Sequence, residues 1–234
     1  MTRGFTPWIA VGGLVVVALG AAILSVATAP REVYYSVPSG SRESAQTLAE
    51  AAKATTEAPS FTMNVNDGGS LIYQAPDRIS QDSEFLPQIT IGRTIYVLAE
   101  SPGDTWIVEP VDRVHSVPYL AFTYLDLLTS LKGVSRHGDE YSGLLVAPAN
   151  RFAPRGTPLY VSAIVESGRI SAEKLSFPAL GGFPKGTDTI TYSKFGTSPP
   201  VTIPPSDHVV RALKCLGSYW PPDVGTPCHH PSTP

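Results

Sequence analysis

The stretch from residue 69 to residue 110 constrains the fold more than any other part of the chain. It reads Leu71-Ile-Tyr-Gln-Ala-Pro-Asp-Arg-Ile79, then Ile89-Thr-Ile-Gly-Arg-Thr-Ile-Tyr-Val97, then Asp104-Thr-Trp-Ile-Val108. Short β-branched and aromatic runs, broken by Gly, Pro and Asp, are the pattern of an antiparallel meander. A meander of this kind turns a wide apolar face to one side, and something must cover it. Just upstream, residues 60–66 alternate cleanly: Phe61, Met63 and Val65 on one side, Thr62 and Asn64 on the other. Asp67-Gly68-Gly69 is a hairpin turn, and Arg93-Thr94 marks the next reversal.

The period then changes. In residues 117–131, Leu120, Tyr124, Leu127, Leu128 and Leu131 recur at helical spacing. Pro118 suits the first turn and Gly133 the stop. An apolar helix in the middle of a β protein is the natural cover for the sheet. A second helix is predicted over residues 43–58, with Ser41 as N-cap and its end before Pro59. Its apolar face of Ala45, Leu48, Ala49 and Ala52 is thin, so it must dock on something. Further strands are predicted at residues 140–147, 159–165, 169–177 and 187–195, with a corner loop at 180–186. Residues 197–206 carry four prolines and are read as extended, and residues 207–216 as a short helix. The fold class expected is α+β: a curved antiparallel sheet of about ten strands, covered by two or three helices.

The N-terminal end is of another kind. No charged residue lies between Arg3 and Arg31, and residues 8–26 are almost wholly apolar. About 20 such residues span a bilayer. Ala27-Thr-Ala29 offers a small-residue cleavage site, but Pro30 follows it directly, and the apolar run exceeds the ~7–15 residues of a signal-peptide core. We read it as an uncleaved signal anchor, with a cleaved signal peptide as the rival; both lead to export. Arg3 favours a cytoplasmic N-terminus, which puts the rest of this single-pass chain on the extracytoplasmic side of the cell membrane. The division expected is an anchor (1–30), a linker (31–42), one main domain (43–205) and a Cys/Pro-rich extension (206–234).

Cysteine occurs only at Cys215 and Cys228. Two cysteines in an exported domain are most simply a disulfide, worth roughly 3 kcal/mol for a loop of this size. A metal site using His229 and His230 is the rival, but Cys-x12-Cys-His-His matches no standard zinc spacing.

Much chemistry is missing. With a net charge of −3 and no basic block, the chain is not built to hold nucleic acid. It has no Gly-rich phosphate loop and no Gly-x-Ser-x-Gly elbow. His115, His137, His208, His229 and His230 stand at no metal-ligand spacing, and His115 and His137 are expected to be solvated. Asp104 and Glu109 bracket Trp106 but point to opposite faces of a strand. No catalytic role and no cofactor is expected. The positive signal is surplus apolar surface. The candidate lining is Phe61, Met63, Val65, Tyr73, Ile91, Tyr96, Trp106, Leu144 and Tyr160 from the strands, with Leu120, Tyr124 and Leu128 from the central helix. Either side chains fill the space under the helices, or the acyl chains of a ligand do.

The ordered set of Ala-rich first helix, Tyr73-Gln-Ala-Pro-Asp-Arg78 turn, Ile91-Gly92 strand with Tyr96, Trp106 strand, Leu-rich helix, Ile190-Thr-Tyr-Ser-Lys-Phe-Gly196 strand and Pro200-Val-Thr-Ile-Pro204 ending resembles a known family. This is the actinobacterial, largely mycobacterial, lipoprotein family that shares its half-barrel with the periplasmic lipoprotein carriers. The resemblance implies an antiparallel half-barrel around helices, an apolar cavity, and binding or transport of acylated lipid or lipoglycan without enzyme activity. Family members carry a lipobox Cys after the signal core, whereas this chain has no Cys before Cys215. A transmembrane anchor takes the place of lipidation, and free shuttling gives way to local lipid holding. An envelope sensor or scaffold that binds a protein partner is the second reading.

Overall fold

The computed structural model describes residues 37–66, 69–82, 87–99, 105–111, 115–146, 158–178, 185–211, 213–215 and 218–220. The expected anchor and Cys228, and with it the expected disulfide, lie outside them. Among the described residues no helix is long and apolar enough to cross a membrane.

Helix α1 (Arg42–Thr56) starts where its cap dictates: the Ser44 amide donates to Ser41 Oγ at 2.9 Å. Its buried face is Ser44, Leu48, Ala51, Ala52 and Thr55, turned slightly from the expected one. Six strands follow: β1 (Ser60–Val65), β2 (Gly69–Gln74), β3 (Arg78–Asp82), β4 (Gln88–Ile91), β5 (Thr94–Leu98) and β6 (Trp106–Pro110). Helix α2 (Val117–Leu128) separates them from β7 (Lys132–His137), β8 (Glu140–Val146), β9 (Pro158–Glu166), β10 (Arg169–Phe177) and β11 (Gly186–Ser193). Gly133 does not end α2, which stops at Thr129; it lies in β7, in the left-handed region, where a Cβ would stand 2.2 Å from the Pro38 carbonyl oxygen.

The described residues of 207–216 form no α-helix. A 3₁₀ turn (Ser206–His208) leads into β12 (Val209–Arg211), and β13 (Leu213–Cys215) pairs with β14 (Ser218–Trp220). The β-branched pair Val209-Val210 finds the open edge of β6 and runs parallel to it, Val209 opposite Trp106. The sheet therefore includes part of the C-terminal extension.

Among the described residues the main sheet has 12 strands, in the order β12-β6-β5-β4-β3-β2-β1-β11-β10-β9-β8-β7. It consists of two meanders, β1–β6 and β7–β11, joined by the antiparallel pair β1–β11. A sheet of this width twists and curls. The chain order then places α2. Strands β6 and β7 lie near opposite ends of the sheet, so the segment between them has to cross one face. The 12-residue helix spans about 18 Å of that crossing. It lies against α1 and touches the sheet at β3, while α1 rests on β10 and β7.

One hydrogen bond pins α1. Ile170 stands opposite Val165, just before the register shifts between Ile170 and Ala172. The Ile170 amide donates to the buried Thr55 Oγ1 at 2.8 Å, and Thr55 in turn donates to the Ala51 carbonyl. Thr55→Val keeps the shape and orphans a buried N–H, so it is expected to cost about 1–3 kcal/mol in denaturant unfolding.

Candidate functional site

The inner face of the sheet is fixed by register. Phe61 stands opposite Tyr73, Met63 opposite Leu71 and Tyr192, and Val65 opposite Ile190. With Leu120, Tyr124, Leu125 and Leu128 of α2 and Leu48 of α1 these residues form one continuous buried cluster. The Phe61 ring meets Tyr73 at 5.0 Å and Tyr192 at 5.7 Å, and Phe122 of α2 meets Tyr73 at 5.0 Å. Of the twelve predicted lining residues, Phe61, Met63, Val65, Tyr73, Leu120, Tyr124 and Leu128 are brought together here.

The other five are not. Ile91 pairs with Arg78 and Thr94, Tyr96 with Ile89 and Val108, and Trp106 with Leu98. Their rows belong to the outer face, one residue out of step with the buried Ile79, Thr90, Ile95 and Val97. A shift of one residue moves a side chain to the opposite face. The extended segment around Val201 bonds to β2 and β3. Its amide donates to Gln74 Oε1 and its carbonyl accepts from Arg78 Nη1, both at 3.0 Å, and Val201 is buried. Tyr160 is 57% exposed on the outer face of β9. Leu144, opposite Tyr160, is fully buried but stands apart from the inner cluster. His115 is buried and not solvated as expected, whereas His137 is exposed.

The inner face also carries polar groups that the sequence reading passed over. Glu173, opposite Ile190 on one side and Ala163 on the other, points into the core and is 1% exposed. Tyr192 donates its hydroxyl to Glu173 Oε1 at 2.9 Å. Burial pushes the Glu173 carboxyl up from 4.5 to about 8, against the opposing pull of the Tyr192 hydrogen bond. Tyr124 of α2 hangs over the same group. Its hydroxyl is raised above the usual phenol range, first by burial and then by the charges of Asp188 and Glu173. Tyr192 is raised by burial and by Glu173. Glu173 Oε2 and the Tyr124 hydroxyl have no hydrogen-bond partner. Beyond β3 the inner face turns more polar: Gln88 donates to Gln81 at 2.7 Å, and Thr90 is fully buried with its hydroxyl unpartnered. The signal for Glu173 was the Glu173-Lys174-Leu175 alternation, in which Lys174 facing out forces Glu173 in.

The two helices are held differently. Helix α1 has a side-chain cap, a Thr55 anchor and a Ser41 N–H to Val134 carbonyl bond at 2.9 Å. Helix α2 has no side-chain cap bond, no acidic residue in its first turn and no basic residue in its last. Its apolar face packs into the buried cluster.

A shallow hollow of about 250 Å³ lies on the outer face, between Pro38, Tyr160, Lys174, Glu140 and a group of serine hydroxyls. Among the described residues no group of His, Cys, Asp and Glu is arranged to hold a metal ion.

No protein-family model and no curated protein matches the chain. A solved structure does: LprF from Mycobacterium bovis, at 12% identity and a TM-score of 0.50, covers 71% of this chain and 99% of its own. The likeness is one of fold. This chain carries the LprF-like arrangement, an open curved sheet with two helices against one face, at a distance where sequence no longer shows it.

Proposed function

We propose that the chain is a lipid-binding protein of the cell envelope. In this reading residues 8–26 hold it in the membrane, and it keeps or hands on acylated lipid or lipoglycan between α2 and the inner face of the half-barrel. It acts by binding and not by catalysis. The observation that carries the reading is the asymmetry of the two helices. Helix α1 is fixed by specific hydrogen bonds, while α2 crosses the apolar face with no side-chain cap bond and no charge complement at either end. Apolar packing can be exchanged for acyl chains at small net cost, because both are apolar surface. The LprF-like fold supports the same reading.

The described inner residues are closely packed, so entry of acyl chains requires α2 to lift from β3. Amide hydrogen exchange on the full chain tests this. Without lipid, the α2 amides are expected to exchange faster than those of α1. Added phospholipid should slow exchange in α2 and leave α1 unchanged. Equal protection of the two helices, unaltered by lipid, contradicts the reading.

A sensor or scaffold role rests on a different observation. Tyr160 and Ile164 lie four residues apart on the outer face of β9, 57% and 39% exposed, and Tyr160 lines the hollow. Tyr160→Ser separates the two readings: it leaves lipid uptake intact and abolishes association with an envelope protein.

A further inference from the structure

Glu173 and Tyr124 are out of place in a core that only packs. A buried polar atom without a partner costs free energy, and native cores hold few of them. Here two lie within electrostatic reach of each other, one on the sheet and one on the helix that our proposed function has moving. Each belongs to a side chain 1% exposed.

Their chemistry is specific. Tyr192 donates to Glu173 Oε1, so that oxygen is occupied as an acceptor. Burial keeps the carboxyl protonated at neutral pH. The proton therefore sits on Oε2, the atom that lacks a partner. The Tyr124 hydroxyl is likewise protonated and unpartnered. The interior thus presents two free O–H donors from opposite sides, one on the sheet and one on the helix. One acceptor that serves both donors needs two lone pairs and no hydrogen of its own, which describes a carbonyl oxygen. They do not want a second carboxylate. Asp188 lies close enough to act on Tyr124 electrostatically, and an added negative charge in this dry site would be repelled and poorly solvated.

We propose that Glu173 and Tyr124 receive the ester carbonyl of a neutral acyl lipid, so that the half-barrel selects acyl esters over free fatty acids. This rests on the lipid-binding reading and sharpens it to a class of ligand. The acyl chain would lie against the apolar inner cluster, with its carbonyl held between the two donors.

The test uses the purified, delipidated full chain and a fluorescent acyl-ester probe at pH 7. Oleate and methyl oleate, which share a chain and differ in charge, compete for the site. Methyl oleate is expected to displace the probe at about ten-fold lower concentration than oleate. Tyr124→Phe removes only the unpartnered hydroxyl. It should lose that ten-fold preference while its Tm stays at or above wild type. Glu173→Leu should also lose the preference, with a lowered Tm, because it leaves the buried Tyr192 hydroxyl without its acceptor. Equal displacement by the two competitors, with both variants like wild type, overturns the ester assignment and leaves lipid binding standing. A Tyr124→Phe protein that melts well below wild type makes the hydroxyl structural and overturns it as well. A probe that does not bind the wild-type chain at all overturns the lipid reading itself.

Discussion

Phe61→Ala is expected to remove about 3–5 kcal/mol of stability. Phe61 is fully buried at the middle of the sheet, in the strand that joins the two meanders. Its ring meets Tyr73 at 5.0 Å, Tyr192 at 5.7 Å and Phe195 at 6.5 Å. Truncation opens a cavity that three rigid rings cannot close, and it removes their edge and tilted contacts as well. Since a domain is held by only about 5–15 kcal/mol in total, the variant should lie near the edge of folding. Urea unfolding at pH 7 measures this as a fall in midpoint with an unchanged slope. A loss below about 1 kcal/mol would mean the ring is not part of a close-packed core.

The second large effect is a dependence on pH. Unfolded, Glu173 gives up its proton near 4.5; folded, it holds the proton to about 8. Between those values the folded protein binds more protons than the unfolded chain, so stability falls as pH rises. Below 4.5 and above 8 this group adds no further slope. The fall is on the order of a few kcal/mol across that window. Tyr192 and Tyr124 face Glu173 and are raised above the ordinary phenol value, so both stay neutral throughout. Glu173→Gln keeps an acceptor for the Tyr192 hydroxyl and cannot ionise. Urea midpoints taken across this range should therefore fall in wild type and fall markedly less in Glu173→Gln. Parallel slopes in the two proteins would show that Glu173 is ionised in the folded state.

Local patterns carried much of this fold. Ser41 is read from sequence as a cap and serves as one. The alternation of Phe61, Met63 and Val65 gives their face correctly, because one side of β1 is apolar and the other carries the polar Ser60, Thr62 and Asn64, the first two of them buried. The switch to helical spacing after Val117 marks α2. Strands β4 and β5 are harder, because Ile89 and Ile91 alternate with Gln88 and Thr90, and the polar pair is the one that faces inward. The Val201 segment bonds the neighbouring strands β2 and β3 from more than 100 residues away. Residues 207–216 have a composition open to helix, and the free edge of β6 draws Val209 and Val210 into a strand. Glu173 is concealed by its bulge, which breaks the phase of alternation between Ile170 and Ala172. For Val209 and Val210 a pairing between distant segments decided the outcome, and no window of neighbouring residues contains it.

The central claim is that the half-barrel holds acyl lipid beneath α2. Native mass spectrometry of the full chain, purified from the cells that make it, tests this most directly. The account predicts a bound species whose mass, once released and fragmented, shows ester-linked acyl chains, present in wild type and depleted in Tyr124→Phe. A single apo mass, with no lipid in the organic extract and none taken up from added phospholipid, would contradict it.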